Sequence, residues 1–471
     1  MKYLSLYARL FGVAGVCLAL LLSAFAGQSD TLTRGAIIER VVCRADTGQS
    51  YALFLPASYT PQKQWPIIYC FDPAARGQIP LERFKAAAEK YGVIIAGSNN
   101  SRNGASDVTV AVNAMINDTR ERLAIDNRRV YTAGFSGGGR VANAIALAFG
   151  DGVAGVVACG GGFPTSAGPS KSVTFALFAV AGTDDFNYPE MHQLARAFDR
   201  LGLANRFATF EGGHDWLTPA LADEALAWLE LQAMKTNRRA RDETFISEMF
   251  NQSLSRARAA EAEGKRYETY NRLAGLAADF KGLRDVAELE KRVAELKETK
   301  EIKQAIKQED DQEREQQMRV KELFTFREAM KNNDERPLAY ADLQKNLAAL
   351  KKKKDAPQAS SERTVARRVL NQFLGYLSEE SQLLINRKQY AAATENLTLL
   401  ALLLPDNPRV FYNLACAHAL NHDRSHALEA LKRAVEKGFK DAAALERDKD
   451  LDALRDDPAY KQIVEELKKR S

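Results

Sequence analysis

The stretch Val130–Ala146 reads VYTAGFSGGGRVANAIA. A β-rich run leads into it and an Ala-rich helical pattern leads out. Between them Ser136 stands among Gly134, Gly137, Gly138 and Gly139. Glycine is poor in both strands and helices, so its concentration at this joint calls for a geometric reason. Gly134-Phe135-Ser136-Gly137-Gly138 is a G-x-S-x-G run between a strand-like segment and a helix start. That is the context in which such a run makes a sharp strand-to-helix turn with an exposed serine hydroxyl. Side chains at 134 and 138 would collide with neighbouring backbone, and the helix start aims free N–H groups at any negative charge that forms beside the hydroxyl.

Working outward, β-rich runs occur at IIERVVC, YALFLP, PIIYCF, VIIAGS, RVYTAG, GVVACG, VTFALFAVAG and RFATFEG. From the third run onward, amphipathic helical stretches intervene at Leu81–Tyr91, Val108–Leu123, Gly138–Phe149, Pro189–Leu201 and Pro219–Gln232. Eight strands with helices between the later ones predict an α/β fold with an eight-stranded, mostly parallel sheet. Beyond Met234 the strand signals stop, and Ala, Glu, Lys, Arg and Leu dominate. Val286, Leu289, Val293 and Leu296 have heptad spacing that dissolves into Lys307–Gln317, KQEDDQEREQQ, which reads as a long solvated helix. Lys351–Lys354 runs into DAPQASSE, which reads as a linker.

A serine hydroxyl is a weak nucleophile without a base. The chain has five histidines. His418, His422 and His426 fall in the C-terminal helices, and His192 sits at a helical position that suits packing. His214, in FEGGHDWL after the last strand, is the candidate base. Loops at the C-terminal edge of such a sheet are where binding groups gather.

These features resemble the α/β-hydrolase superfamily over about residues 35–234. The likeness is closest to small secreted esterases related to polyhydroxybutyrate depolymerases and feruloyl esterases, through YALFLPASYTPQKQWPIIYCF and the GGHDW loop. The resemblance implies a chain order of Ser, Asp/Glu, His. Matched to the HGTxD-like run of many serine hydrolases, AGTDD places the acid at Asp185, with Asp184 as runner-up. It also implies an oxyanion hole from the Gly137 amide and a second donor after the third strand. There CFDPAARG departs from the His-Gly of relatives: Pro73 has no N–H, leaving Asp72 or Ala74, with Ala74 the candidate. Lipases commonly insert a helical lid between the sixth and seventh strands, but GGGFPTSAGPSKS is too short for one. That leaves an uncapped site, unless Asn99–Asp107 covers it.

In the last hundred residues, Leu377, Ser381, Ala393, Leu397, Leu400 and Pro405 recur 34 residues later as Phe411, Ala415, Ala427, Leu431, Ala434 and Phe439. This spacing resembles the tetratricopeptide repeat family over Leu377–Gly438, with flanking helices completing the stack.

The start of the chain bounds its compartment. Lys2 and Arg9 precede an apolar run, Phe11–Leu22, and Ala24–Ala26 supplies small residues, which predicts a signal peptide cleaved after Ala26. The expected location is therefore exported, periplasmic or extracellular, with no stable membrane span after cleavage. Cys43, Cys70, Cys159 and Cys416 lack CxxC spacing and read as buried thiols, Cys43–Cys70 being the one pair worth checking. A net charge of +5, spread out, does not argue for nucleic acid.

The expected plan is a signal peptide (1–26), an α/β-hydrolase domain (27–236), a charged helical connector (237–370) and a tetratricopeptide-like all-α domain (371–471). The expected activity is a serine hydrolase that cleaves a carboxylic ester of a small molecule or polymer, with catalytic Ser136, Asp185 and His214. No cofactor or metal is implied, and the repeats offer a surface for a protein partner. A peptidase of the same fold and a non-catalytic scaffold are the alternatives. Residues 27–236 are expected to fold alone, unless the apolar stripe of Pro219–Gln232 needs the following helices as cover.

Overall fold

The computed structural model describes residues 32–164 and 168–470, so the leader and its cleavage position lie outside the described residues. The eight β-rich runs form one sheet: β1 (Ile37–Val42), β2 (Ser50–Phe54), β3 (Trp65–Phe71), β4 (Ile94–Ser98), β5 (Ile125–Phe135), β6 (Gly155–Cys159), β7 (Ala176–Gly182) and β8 (Asn205–Phe210). Their order is β1-β2-β4-β3-β5-β6-β7-β8. β2 pairs antiparallel with β1 and β4, and the other neighbours pair parallel.

Parallel neighbours need crossovers, which α1 (Gln78–Tyr91), α2 (Val108–Arg122), α3 (Gly137–Phe149) and α4 (Tyr188–Leu201) supply; α5 (Pro219–Lys235) follows β8. Met115 of α2, Ile145 of α3 and Phe198 of α4 pack on one face with Leu53, Tyr69, Val156 and Leu177. Phe84 of α1 and Leu226 of α5 pack on the other with Phe54, Ile68, Val157 and Phe178. With both faces covered, β3, β4, β6 and β7 are buried throughout, which is why they read as continuous apolar runs. After β3 the chain goes first to β4 on one side and then to β5 on the other, which opens a crevice at the C-terminal ends of β3 and β5.

All four described cysteines are free and buried. Cys43 and Cys70 belong to the cores on opposite faces of the sheet, so they do not pair.

The rest is helical: α6 (Glu243–Ala262), α7 (Arg266–Phe280), α8 (Ala287–Glu298), α9 (Lys300–Ala329), α10 (Arg336–Lys354), α11 (Ser361–Asn386), α12 (Tyr390–Leu403), α13 (Pro408–Leu420), α14 (Arg424–Glu436), α15 (Ala442–Arg447) and α16 (Pro458–Arg470). Among the described residues no helix is long and apolar enough to cross a membrane. The apolar stripe of α5 is covered: Leu231 and Met234 pack with Ile246 of α6 and Leu276 and Phe280 of α7. Trp228 Nε1 donates to the buried Asp279 of α7 at 2.6 Å.

The acidic stretch 307–317 is not simply solvated. It lies within α9, where Glu309, Glu313 and Gln316 share one face and meet polar groups of the sheet half. Tyr188 Oη donates to Glu309 at 2.6 Å, His192 Nδ1 lies 2.6 Å from Glu313, and Gln316 Nε2 donates to the Phe186 carbonyl at 2.8 Å. Residues 355–360 link α10 to α11, and Lys351–Lys354 precedes that linker. The lysine run forms the last turn of α10, where cations suit the helix dipole.

The 34-residue recurrence has a backbone counterpart. α11 and α13 end at Asn386 and Leu420, and α12 and α14 begin at Tyr390 and Arg424. The turns between them place Lys388 and His422 at φ 59° and 58°. Ala393, Ala427, Leu397 and Leu431 are buried at matching positions.

Candidate active site

β5 delivers the chain to Ser136, which adopts φ 53° and ψ −121° before α3 begins at Gly137. Such a backbone is strained for a residue with a Cβ and persists only where its surroundings enforce it. They do so here through the Ser136 N–H, which donates to the Cys159 carbonyl at 2.8 Å, and through its carbonyl, which accepts from Gly139 N at 3.0 Å. The glycines permit the close approach. A Cβ at Gly134 would lie 2.0 Å from the Gly138 carbonyl oxygen, and one at Gly138 would lie 1.9 Å from that of Phe71.

Asp185 follows the end of β7 and His214 the end of β8. His214 Nδ1 lies 2.9 Å from Asp185 Oδ1, which also accepts from Asn187 N at 2.8 Å. Asp185 is fully buried, and the His214 side chain is 19% exposed, so the imidazole keeps an open edge. Phe135 and Phe186 flank the ring, with centroids 4.5 and 4.2 Å away. Asp184 turns the other way: its carboxylate accepts from Arg367 of α11 at 2.8 Å. The structure thus brings Asp185, not Asp184, to His214. His192 is placed at the contact with α9.

Sequence reasoning missed the Gly160–Gly161 run, which joins these parts. A Cβ at Gly160 would lie 2.7 Å from Asp185 Oδ2 and 3.0 Å from His214 Nδ1. One at Gly161 would lie 1.9 Å from the Ser136 carbonyl oxygen. Three glycines in a row after a buried strand were the available signal.

Ala74 is not free for the role expected of it. The Ala74 amide is already engaged, donating to Asp72 Oδ1 at 2.9 Å. Asp72 is buried and turned into the fold, where it also accepts from Arg76 Nε and Nη2 and from Trp216 Nε1, each at 2.9 Å. Burial alone would raise its pKa, but these donors hold it below the usual carboxylate value. The backbone after Asp72 therefore closes on its own carboxylate in an Asx-type turn. The side chain against Gly137 is instead that of Asn103: a Cβ on Gly137 would lie 1.9 Å from its Oδ1 and 2.8 Å from its Nδ2. The Asn103 N–H donates to the Pro73 carbonyl at 2.8 Å, which ties the 99–107 segment to the end of β3.

The C-terminal half reaches this edge too. Arg368 Nε donates to the Thr183 carbonyl at 2.8 Å, and Asn371 Nδ2 to the Asp184 carbonyl at 3.3 Å. A Cβ at Gly375 would stand 3.7 Å from the Phe186 ring. Helices α9 and α11 thus brace the loop that carries Asp185. Two clefts lie elsewhere and include no member of this group. One of about 360 Å³ is lined by Arg129, Glu230 and Arg239, which satisfy one another as ion pairs. The other, of about 520 Å³, lies at Tyr412 and Phe439.

No protein-family model and no curated protein matches the chain. The similar solved structures are esterases and serine hydrolases, over about the N-terminal 40% of the chain. One is a ferulic acid esterase, 17% identical with a TM-score of 0.36, covering 41% of this chain and 97% of its own. Another is an S-formylglutathione hydrolase from Staphylococcus aureus, 14% identical with a TM-score of 0.33, covering 42% and 98%. A third is an esterase from Pyrobaculum calidifontis, 12% identical with a TM-score of 0.34, covering 46% and 91%.

Proposed function

We propose that the chain is an exported serine hydrolase of the α/β-hydrolase superfamily that cleaves a carboxylic ester, or a related acyl bond, through an acyl-enzyme. Ser136 Oγ attacks the carbonyl carbon while His214 Nε2 accepts its proton, and His214 returns that proton to the departing alcohol. Water then repeats the sequence on the acyl-serine and frees the acid. Asp185 holds the imidazole with its Nδ1–H inward and stabilises the imidazolium. The Gly137 amide at the start of α3 faces the charge that develops on the carbonyl oxygen. The Asn103 side-chain amide, against Gly137, takes the second donor position in place of Ala74. The 34-residue recurrence supports a tetratricopeptide-like C-terminal region that engages a protein partner.

The observation that carries this reading is the 2.9 Å contact between His214 Nδ1 and a fully buried Asp185 at the sheet edge where Ser136 occupies its strained turn. The test is labelling of the full chain with a fluorophosphonate probe, alongside turnover of short-chain aryl esters. Wild-type protein labels and turns over, and Ser136→Ala does neither while keeping its circular dichroism spectrum. Asn103→Ala lowers kcat by roughly 10²–10³-fold if it donates to the oxyanion. Wild-type protein that neither labels nor cleaves any ester or peptide would sink the enzymatic reading in favour of a scaffold.

A further inference from the structure

The turn between α13 and α14 carries a second group of chemically capable side chains. His418 of α13, Asp423 in the turn and His426 of α14 present one ligand atom each, all within 4.8 Å of one another. His426 Nδ1 lies 2.8 Å and His418 Nδ1 3.2 Å from the same oxygen, Asp423 Oδ2. The two imidazoles stack with centroids 5.3 Å apart.

Two observations separate this group from an ordinary hydrogen-bonded cluster. His418 Nδ1 is buried and makes no hydrogen bond, although Asp423 Oδ2 is near. The nitrogen is close to the oxygen but not directed at it, as expected of two donors that share a third point. The repeat itself does not require these residues either. One period earlier the same backbone turn is built with Leu384, Gln389 and Ala392 at the corresponding positions. The nearby Cys416, Asp448 and Asp450 set differs: its groups already satisfy one another, the Cys416 thiol and the Tyr412 hydroxyl both donating to Asp448 Oδ2.

We infer that His418, Asp423 and His426 form a binding site for a divalent transition-metal cation of the zinc class. Two imidazole nitrogens and one carboxylate oxygen are borderline donors, which suit zinc over calcium or magnesium. A tetrahedral cation with bonds of about 2.0–2.2 Å spaces its donors about 3.3 Å apart, close to the separations already present. His426 is 65% exposed, so the fourth position opens to water. Binding displaces the proton that His426 Nδ1 shares with Asp423. Because the site bridges α13 and α14, the cation clips the second helix pair together.

The test is calorimetric titration of untagged full-length protein with Zn²⁺ alone, followed by Co²⁺ to read ligand-field absorption. Wild-type protein takes up one equivalent saturably. Asp423→Asn keeps a residue that caps α14 but removes the charge. His418→Leu installs the side chain that the sister turn carries at Leu384, and His426→Ala changes an exposed residue. Each variant should lose affinity by ~10-fold or more, the scale on which even outer partners of a bound metal act. Absence of saturable binding in wild type, or equal affinity in all three folded variants, overturns the site.

Discussion

Adjacent aspartates divide the molecule's two halves. Asp185 turns inward to His214 and belongs to the sheet half; Asp184 turns outward to Arg367 and belongs to the contact with the helical half. The sheet half, residues 32–235, is organised by short buried strands whose partners follow from the alternation of strand and helix. The helical half is organised by long amphipathic helices whose partners lie up to 187 residues away, as in the Asn371 bond to Asp184. The sheet half carries Ser136, His214 and Asp185, the groups proposed above for catalysis, while the helical half holds the loop on which Asp185 sits. Where chemistry resides and what keeps it in place are therefore answered by different parts of the chain.

Cutting the chain after residue 236 tests this comparison most severely and has the largest expected effect. The cut bares Leu231 and Met234, which pack with α6 and α7 in the full chain, and strands Trp228 Nε1 without Asp279. Exposing two such side chains forfeits ~1.5–3 kcal/mol each, a sum that is a large fraction of the stability of a typical domain. It also leaves the loop Thr183–Phe186 without Arg367, Arg368, Asn371 and Gln316. We expect residues 27–236 to aggregate or to lack ester turnover while the full chain is soluble and active. A soluble, fully active fragment would show that the helices are an appendage.

The next effect is confined to one carboxyl group. Asp185→Asn preserves shape but offers His214 the wrong hydrogen-bonding pattern, and should lower kcat by about 10⁴-fold on a soluble ester. Asp184→Asn should act far more weakly, because its partner is Arg367. Reversal of this order in steady-state kinetics would mean that the loop carries its acid differently from the geometry described.

How much of this was legible follows from the same contrast. All eight strands and the five helices that follow or join them stand within a few residues of the sequence expectation, because the alternation of short β-rich runs with amphipathic stretches is a local pattern, and the central runs are buried whatever their neighbours are. Ser136 and His214 were marked by glycines at 134, 138, 212 and 213 that only a tight turn requires. Ala74 was misjudged because Asp72 closes on the backbone after it, a side-chain bond that spacing does not reveal. The acidic run in α9 read as solvated because its partners, Tyr188 and His192, lie on a distant helix. The braces Arg368 and Asn371 left no mark at all, since a charged helix face looks the same whether it meets water or another domain.

Asp279 tests whether the interface is cooperative. It is buried in α7, accepting from Trp228 Nε1 and from Arg206, both in the sheet half. Burial raises its pKa even though Arg206 and Trp228 oppose the shift. Asp279→Ala strands Trp228 Nε1 and leaves Arg206 with only Glu224, so it should destabilise the full chain by about 3–5 kcal/mol. Denaturant unfolding followed at tryptophan and by far-ultraviolet circular dichroism should show one shifted transition. Two separated transitions would mean that the halves unfold independently and that the contact is passive.

The smallest effect belongs to the ion pair with which the comparison began. Arg367 and Asp184 meet at 2.8 Å, but their side chains are 33% and 24% exposed. A partly exposed pair of this kind contributes only ~0.2–1 kcal/mol, weakened further by salt. Arg367→Ala should therefore leave the protein folded. Its consequence should appear in the placement of Asp185, one residue away, rather than in stability. We expect kcat on a soluble ester to fall by ~5-fold at most, if the whole of that energy is felt by the acid loop, with KM unchanged. Arg367→Lys should restore part of the loss, and 1 M salt should reduce wild-type kcat toward the variant's. Arg368→Ala should act more strongly, because Arg368 is buried, bonds the Thr183 carbonyl and lies 3.8 Å over the Tyr188 ring. If Arg367→Ala changes KM instead of kcat, α11 contacts the substrate and the helical half forms a wall of the site rather than its brace.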